Sequence, residues 1–144
     1  MTVPYRAEQV GSLLRPPELL EARRTSRADL QSVEDLAIFD ALAERLADPD
    51  FRGCAFINAM AELNDRKHPG YIAATEHKSR VQDYVRGLLE ESGYRDAGSL
   101  AKRFMVLIDG AMVTAYREHS PQAARDARQI AAAVLSSWPR RTSR

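Results

Sequence analysis

Leu100-Ala101-Lys102-Arg103-Phe104-Met105-Val106-Leu107-Ile108-Asp109-Gly110-Ala111-Met112-Val113-Thr114-Ala115 is the stretch on which the fold turns. Its apolar residues recur at the helical period, within a helix that Asp96 can cap and that runs to about His119. Leu100, Ala101, Phe104, Leu107, Ile108, Ala111 and Ala115 share one face. The reverse side is apolar too, through Met105, Val106, Gly110 and Val113. A helix with two apolar faces needs two packing partners. One face completes the core of the chain and the other is free to meet a second copy. Gly110 in mid-helix costs about 1 kcal/mol relative to alanine, so its presence predicts a close helix approach at that point. Asp109 beside it is either a polar feature of that contact or a residue facing solvent.

Working outward, every neighbouring segment reads as helix, and no run of alternating β-branched residues suggests a sheet. From about Asp29 to Ala47, Leu30, Val33, Leu36, Ala37, Phe39, Leu42, Ala43 and Leu46 keep helical spacing until Asp48-Pro49-Asp50 ends the run. A short helix from about Gly53 to Leu63 is apolar over most of its circumference, which predicts burial on several sides. A polar loop from Asn64 to His68 follows, and Pro69 sits in the first turn of the next helix. That helix carries the stripe Ala73, Ala74, His77, Val81, Tyr84, Val85 and Leu88, and Gly93 is its C-terminal cap. Ser120-Pro121 opens the last helix, with Ala123, Ala127, Ile130, Ala131, Val134, Leu135 and Trp138 on its apolar arc and Pro139 as its end. The predicted fold class is all-α, a helical bundle.

Composition narrows the function. The chain has 144 residues, 44% hydrophobic and 28% charged, which suits one globular domain. A net charge of +1 provides no general field for nucleic acid or an acidic membrane. Arg140, Arg141 and Arg144 are expected to be a solvated, frayed end. Cys54 is the single cysteine, so no internal disulfide forms and a reducing cytoplasm fits. No apolar run approaches the roughly 20 residues that span a bilayer, and no secretory signal pattern is present.

Two resemblances add to this reading. The string Pro49-Asp50-Phe51-Arg52-Gly53-Cys54-Ala55-Phe56-Ile57-Asn58-Ala59-Met60-Ala61-Glu62, then Glu76-His77-Lys78 and Leu107-Ile108-Asp109-Gly110-Ala111-Met112, resembles the C-terminal half of tetracycline-repressor (TetR) family regulators over about residues 39 to 144. Ala55 stands where such motifs often have a proline. The resemblance implies dimerisation through the last two helices and an internal seat for a small hydrophobic effector. The helix-turn-helix that precedes this half in the family is not expected within these residues. Residues 1–38, by contrast, resemble the beginning of cobalamin-independent methionine synthase-like proteins, through Tyr5-Arg6-Ala7-Glu8-Gln9-Val10-Gly11-Ser12-Leu13-Leu14-Arg15-Pro16. A histidine usually stands at the position of Gln9. That family's barrel takes about 250 residues, and its catalytic zinc needs three protein ligands; Cys54, His68, His77 and His119 show no such spacing. Ser12 is therefore read as idle, and residues 1–38 as a segment rather than an independent domain. The join near Ile38-Phe39 fits a gene fusion, a deletion or a mispredicted frame.

The candidate effector-binding residues are Phe56, Met60, His77, Tyr84, Met105 and Met112. His77 and Tyr84 each have two readings: a core or interface side chain satisfied locally, or a polar group in an apolar pocket that fixes a ligand's orientation. The phenylalanine and methionines are either core or pocket lining, methionine being suited to cavities that accept varied shapes. Cys54, among Phe51, Phe56 and Ile57, reads as a small buried hydrophobe rather than a reactive thiol. The candidate dimer interface is Val106, Gly110, Val113, Ile130 and Val134. The expected protein is a non-enzymatic, dimeric, cytoplasmic regulator fragment with no cofactor and no metal. Its partners are a second copy of itself, a small hydrophobic effector and an intact TetR-like relative, with no direct DNA binding and no membrane. The rivals are a remnant of a methionine synthase-like methyltransferase, which a strand-rich fold or bound zinc would favour, and a structural remnant without a ligand.

Overall fold

The computed structural model describes residues 36–141. Leu30 and Val33 of the first predicted helix, nearly all of the 1–38 segment with Ser12, and Arg144 lie outside the described residues. Five helices follow one another: α1 (Ala37–Leu46), α2 (Ala55–Leu63), α3 (Pro69–Glu91), α4 (Ala97–Glu118) and α5 (Gln122–Ser137). The fold is an all-α bundle, as the periodicity predicts. The described residues contain no strand, only an isolated bridge between Tyr94 and Arg140.

Each helix boundary has a local cause. Asp48 and Pro49 follow the end of α1, with Asp48 Oδ1 accepting from the Asp50 amide at 2.8 Å. α3 starts at Pro69, and His68 caps it by accepting from the Gly70 amide through Nδ1 at 3.1 Å. At its other end Gly93 takes φ +81, a left-handed value that costs glycine little, and the Tyr94 amide reaches back to the Leu89 carbonyl. Asp96 accepts from the Ser99 amide at the start of α4. His119 in the left-handed region, then Ser120-Pro121, separates α4 from α5.

α4 is the centre of the bundle. It packs on α3, α5 and α1, and α1 also packs on α5. Phe39, Leu42, Val85, Leu89, Leu100 and Phe104 are essentially sealed from solvent, and the Phe39 and Phe104 rings meet edge to face at 5.5 Å. On α5 the buried positions are mostly small (Ala123, Ala124, Ala127 and Ala131), which lets that helix lie close to α1 and α4. Ala37 and Ile38 belong to the same α1 helix as Phe39, so one regular element runs through the expected join.

Five local expectations are corrected. α2 is not buried on several sides: none of its residues is fully buried, because its main neighbour is α3 alone. Cys54 before it is likewise half-buried against the core rather than enclosed. On α3 the inner face falls on Ala74, His77, Val85 and Leu89, leaving Ala73 exposed and Leu88 half-buried. Met105 turns inward to the core instead of joining the outward face of α4. The C-terminal end is not frayed at Arg140 and Arg141. The Arg95 amide donates to the Pro139 carbonyl, the Arg141 amide donates to the Gly93 carbonyl, and the Arg140 guanidinium lies 4.4 Å from the centre of the Tyr94 ring. Trp138 adds an indole N–H to the Arg95 carbonyl at 2.6 Å while Arg103 covers its ring. These contacts join residues far apart in sequence, 43 positions for Trp138–Arg95 and 46 for Arg140–Tyr94, so helical periodicity carries no trace of them.

Candidate functional site

The candidate effector residues divide into two groups. Phe56 and Met60 face α3 from α2, where the Phe56 ring stacks on the His77 imidazole at 3.8 Å and 12°. Met60 Sδ accepts from the Thr75 hydroxyl at 3.7 Å, half a turn earlier on α3. His77 is the buried polar residue of the described core, 8% exposed. Burial is the main cause holding its pKa below the ordinary 6.5, and the positive charges of Lys78 and Arg80 act in the same direction. A neutral imidazole stacked on a phenyl ring is consistent with that environment. Tyr84, two turns further along α3, is half-buried. Met105 and Met112 form the second group, on α4 within the central core beside Phe104 and Ile108.

The candidate interface residues lie on the outside of the bundle. Val106 is 72% exposed, Val113 55% and Ile130 52%. Val134 is partly buried against the core. Gly110 is exposed, and a Cβ added to it would meet nothing within 4 Å. The close approach predicted at this glycine is therefore not made among the described residues. Tyr116, 49% exposed one turn beyond Val113, extends the same surface and was not marked by the sequence, because a tyrosine near a helix end is common on a wet face.

Asp109 is where sequence reasoning stopped short. Its carboxylate receives the Lys78 ammonium from α3 at 2.5 Å, with 16% of the lysine side chain and 36% of the aspartate side chain exposed. Lys78 belongs to the quoted Glu76-His77-Lys78 stretch, but a partner 31 residues away leaves no pattern in either helix. Among the described residues no group of three or more His, Cys, Asp or Glu side chains is placed to hold a metal ion. His68 and His119 stand at different helix ends, as their cap roles require. No helix of the described residues is long and apolar enough to cross a membrane.

This architecture has counterparts. The chain superposes on the crystal structure of SCO4454, a TetR-family transcriptional regulator from Streptomyces coelicolor, with a TM-score of 0.62 and 27% identity over 81% of this chain and 64% of that one. In sequence it is 27% identical over 108 residues to the HTH-type transcriptional regulator YjdC of Escherichia coli (strain K12), covering 75% of this chain and 53% of the relative. The protein of the same name from Shigella flexneri gives the same figures. The chain is TetR-like. It spans about half the length of the curated relatives it matches. No family model matches it. In this TetR-like bundle the two candidate sites are separate: the Phe56–His77 seat lies where α2 meets α3, and the outward face lies on α4 and α5.

Proposed function

We propose that residues 36–141 are the effector-sensing and self-associating part of a TetR-like transcriptional regulator. The observation that carries this reading is the second apolar face of α4 and α5: Val106, Val113 and Ile130 are more than half exposed around a glycine with open space above it. Isolated apolar residues on a surface need no explanation, but a contiguous group at helical spacing around a mid-helix glycine fits a covered contact. Two copies related by a two-fold axis would bring α4 and α5 of each chain into a four-helix interface. Gly110 would then permit close approach, with Val106 and Val113 on either side.

The effector would be a small, largely apolar molecule seated against Phe56, Met60, His77 and Tyr84, while Met105 and Met112 stay in the central core. His77 and Tyr84 would supply its few polar contacts. On this reading the domain is a non-enzymatic cytoplasmic regulator. A second copy is its first partner, and an intact TetR-like relative is a second partner through the same face. The 144 residues are assigned no duplex binding of their own, because a net charge of +1 provides no general positive field for nucleic acid.

Sedimentation velocity of the native chain from micromolar to tens of micromolar tests the reading directly. A dimer is expected, and a monomer throughout that range refutes it. A thermal-shift panel of hydrophobic compounds then probes the seat, since a ligand that binds the native state alone raises the melting temperature. Fluorescence anisotropy with the DNA flanking the gene should show no sequence-specific binding at physiological salt.

A further inference from the structure

The Lys78–Asp109 pair is next in sequence to a residue of each candidate site. Lys78 follows His77 directly on α3, and Asp109 precedes Gly110 directly on α4. Asp109 also stands three residues after Val106 and four before Val113, at the flank of the outward apolar face. Its setting differs from that of the surface pairs Arg86–Asp83 and Arg117–Glu118, whose side chains are about half exposed or more. Such solvated pairs contribute little. The Lys78 side chain is 16% exposed and comes from α3, behind the face rather than on it.

A carboxylate at the edge of an apolar contact is a liability. When the contact closes, the group loses water, and an unpaired buried charge is costly. In the single chain Asp109 retains 36% exposure, so it remains partly hydrated whether or not it is paired. The demand for a counter-ion therefore rises when the second copy arrives. Lys78 meets that demand from within the chain, and its position is set by the register of α3, the helix that also carries His77.

We propose that Lys78 is a positioning residue for self-association: by neutralising Asp109 from behind α4 it makes the Val106–Gly110–Val113 face fit to bury, and it ties that face to the α2–α3 seat. This rests on the self-association put forward above. A change in α3 at His77 moves the adjacent lysine, and the effect on the dimer passes through the ion pair.

The test is the dimer dissociation constant of the full chain, measured by sedimentation equilibrium, with circular dichroism melts as a check on the fold. Lys78→Met should weaken the dimer by about tenfold or more while changing the monomer's melt little. Lys78→Arg should restore most of the affinity. The double variant Lys78→Met/Asp109→Asn should recover it too, because no uncompensated charge is left to bury. Phe56→Ala, which removes the ring stacked on His77, should shift the dissociation constant in the native background and lose that effect in the double variant. A Lys78→Met dimer within about twofold of native, well under the roughly tenfold expected for a lost charge partner, overturns the positioning role, as does failure of both rescues. An equal Phe56→Ala shift in both backgrounds overturns the tie to the α2–α3 seat. A native chain that stays monomeric refutes the proposed function first and this inference with it, so the two failures are told apart by the native measurement.

Discussion

Truncating Val113 gives a quantitative handle on the outward face. Burying a valine fully is worth about 1.5–3 kcal/mol relative to leaving it exposed. In the single chain 55% of Val113 is still open, so self-association has about half of that gain left to collect. Val113→Ala removes most of the remaining apolar surface, a loss of about 1 kcal/mol per chain, and a two-fold axis doubles it to about 2 kcal/mol per dimer. That corresponds to a dissociation constant roughly 30-fold weaker. The monomer should not suffer: substitutions at exposed sites usually stay within about 0.5 kcal/mol, and alanine is the better helix former. Val113→Asp should go further. It places a charge one turn from Asp109 and buries it twice across the axis, at a cost of several kcal/mol. Analytical ultracentrifugation over a dilution series, beside urea denaturation of each variant at concentrations where it is monomeric, separates the two effects. A Val113→Asp chain that dimerises as well as native, or a Val113→Ala chain that loses folding stability instead of dimer affinity, would refute the reasoning.

Three further outcomes are expected. His77 binds protons less readily folded than unfolded, so the unfolded state takes up more protons as pH falls; stability should be fully present above about 6.5 and decline below it toward the lowered folded value, and this component should vanish in His77→Leu when urea midpoints are compared across that range. Phe104→Ala, at a sealed position facing Phe39, should cost about 3–5 kcal/mol and leave little or no cooperative transition in urea or heat. A native-like transition in that variant would show that the core is not centred on α4. Ending the chain after Ser137 removes the Trp138 and Pro139 contacts to Arg95 and the Arg140 contact to Tyr94, and should lower the melting temperature by several degrees, on the order of 1–3 kcal/mol; an unchanged melt would mean the clasp is loose in solution.

Much of the bundle is legible in the chain itself. The positions of Phe39, Leu42, Leu100, Phe104, Ile108, Ala111 and Ala115 follow from the helical period alone, because burial of one face is a local consequence of spacing. The breaks at Pro49, Pro69, Gly93, Asp96 and Pro121 are equally local, since each acts on its own backbone. Even the outward set Val106, Gly110 and Val113 is visible as a second apolar face. The misplacement of Met105 has the same origin: it sits between the two faces, and periodicity gives no rule for which side takes a border residue.

What the sequence by itself determined, then, is an all-α bundle over the described residues whose fourth helix carries apolar residues on two sides. The hydrophobic period, the caps and the helix breakers are properties of residues a few positions apart, and they act whatever the rest of the chain does. Only the tertiary structure decided which helix covers which face. It laid α2 on α3 alone and stacked Phe56 on His77. It turned Lys78 toward Asp109 and folded Pro139, Arg140 and Arg141 back onto the turn at Gly93–Arg95. Those contacts join side chains far apart in sequence, and they depend on how rigid helices settle against one another, a choice that short-range spacing does not encode.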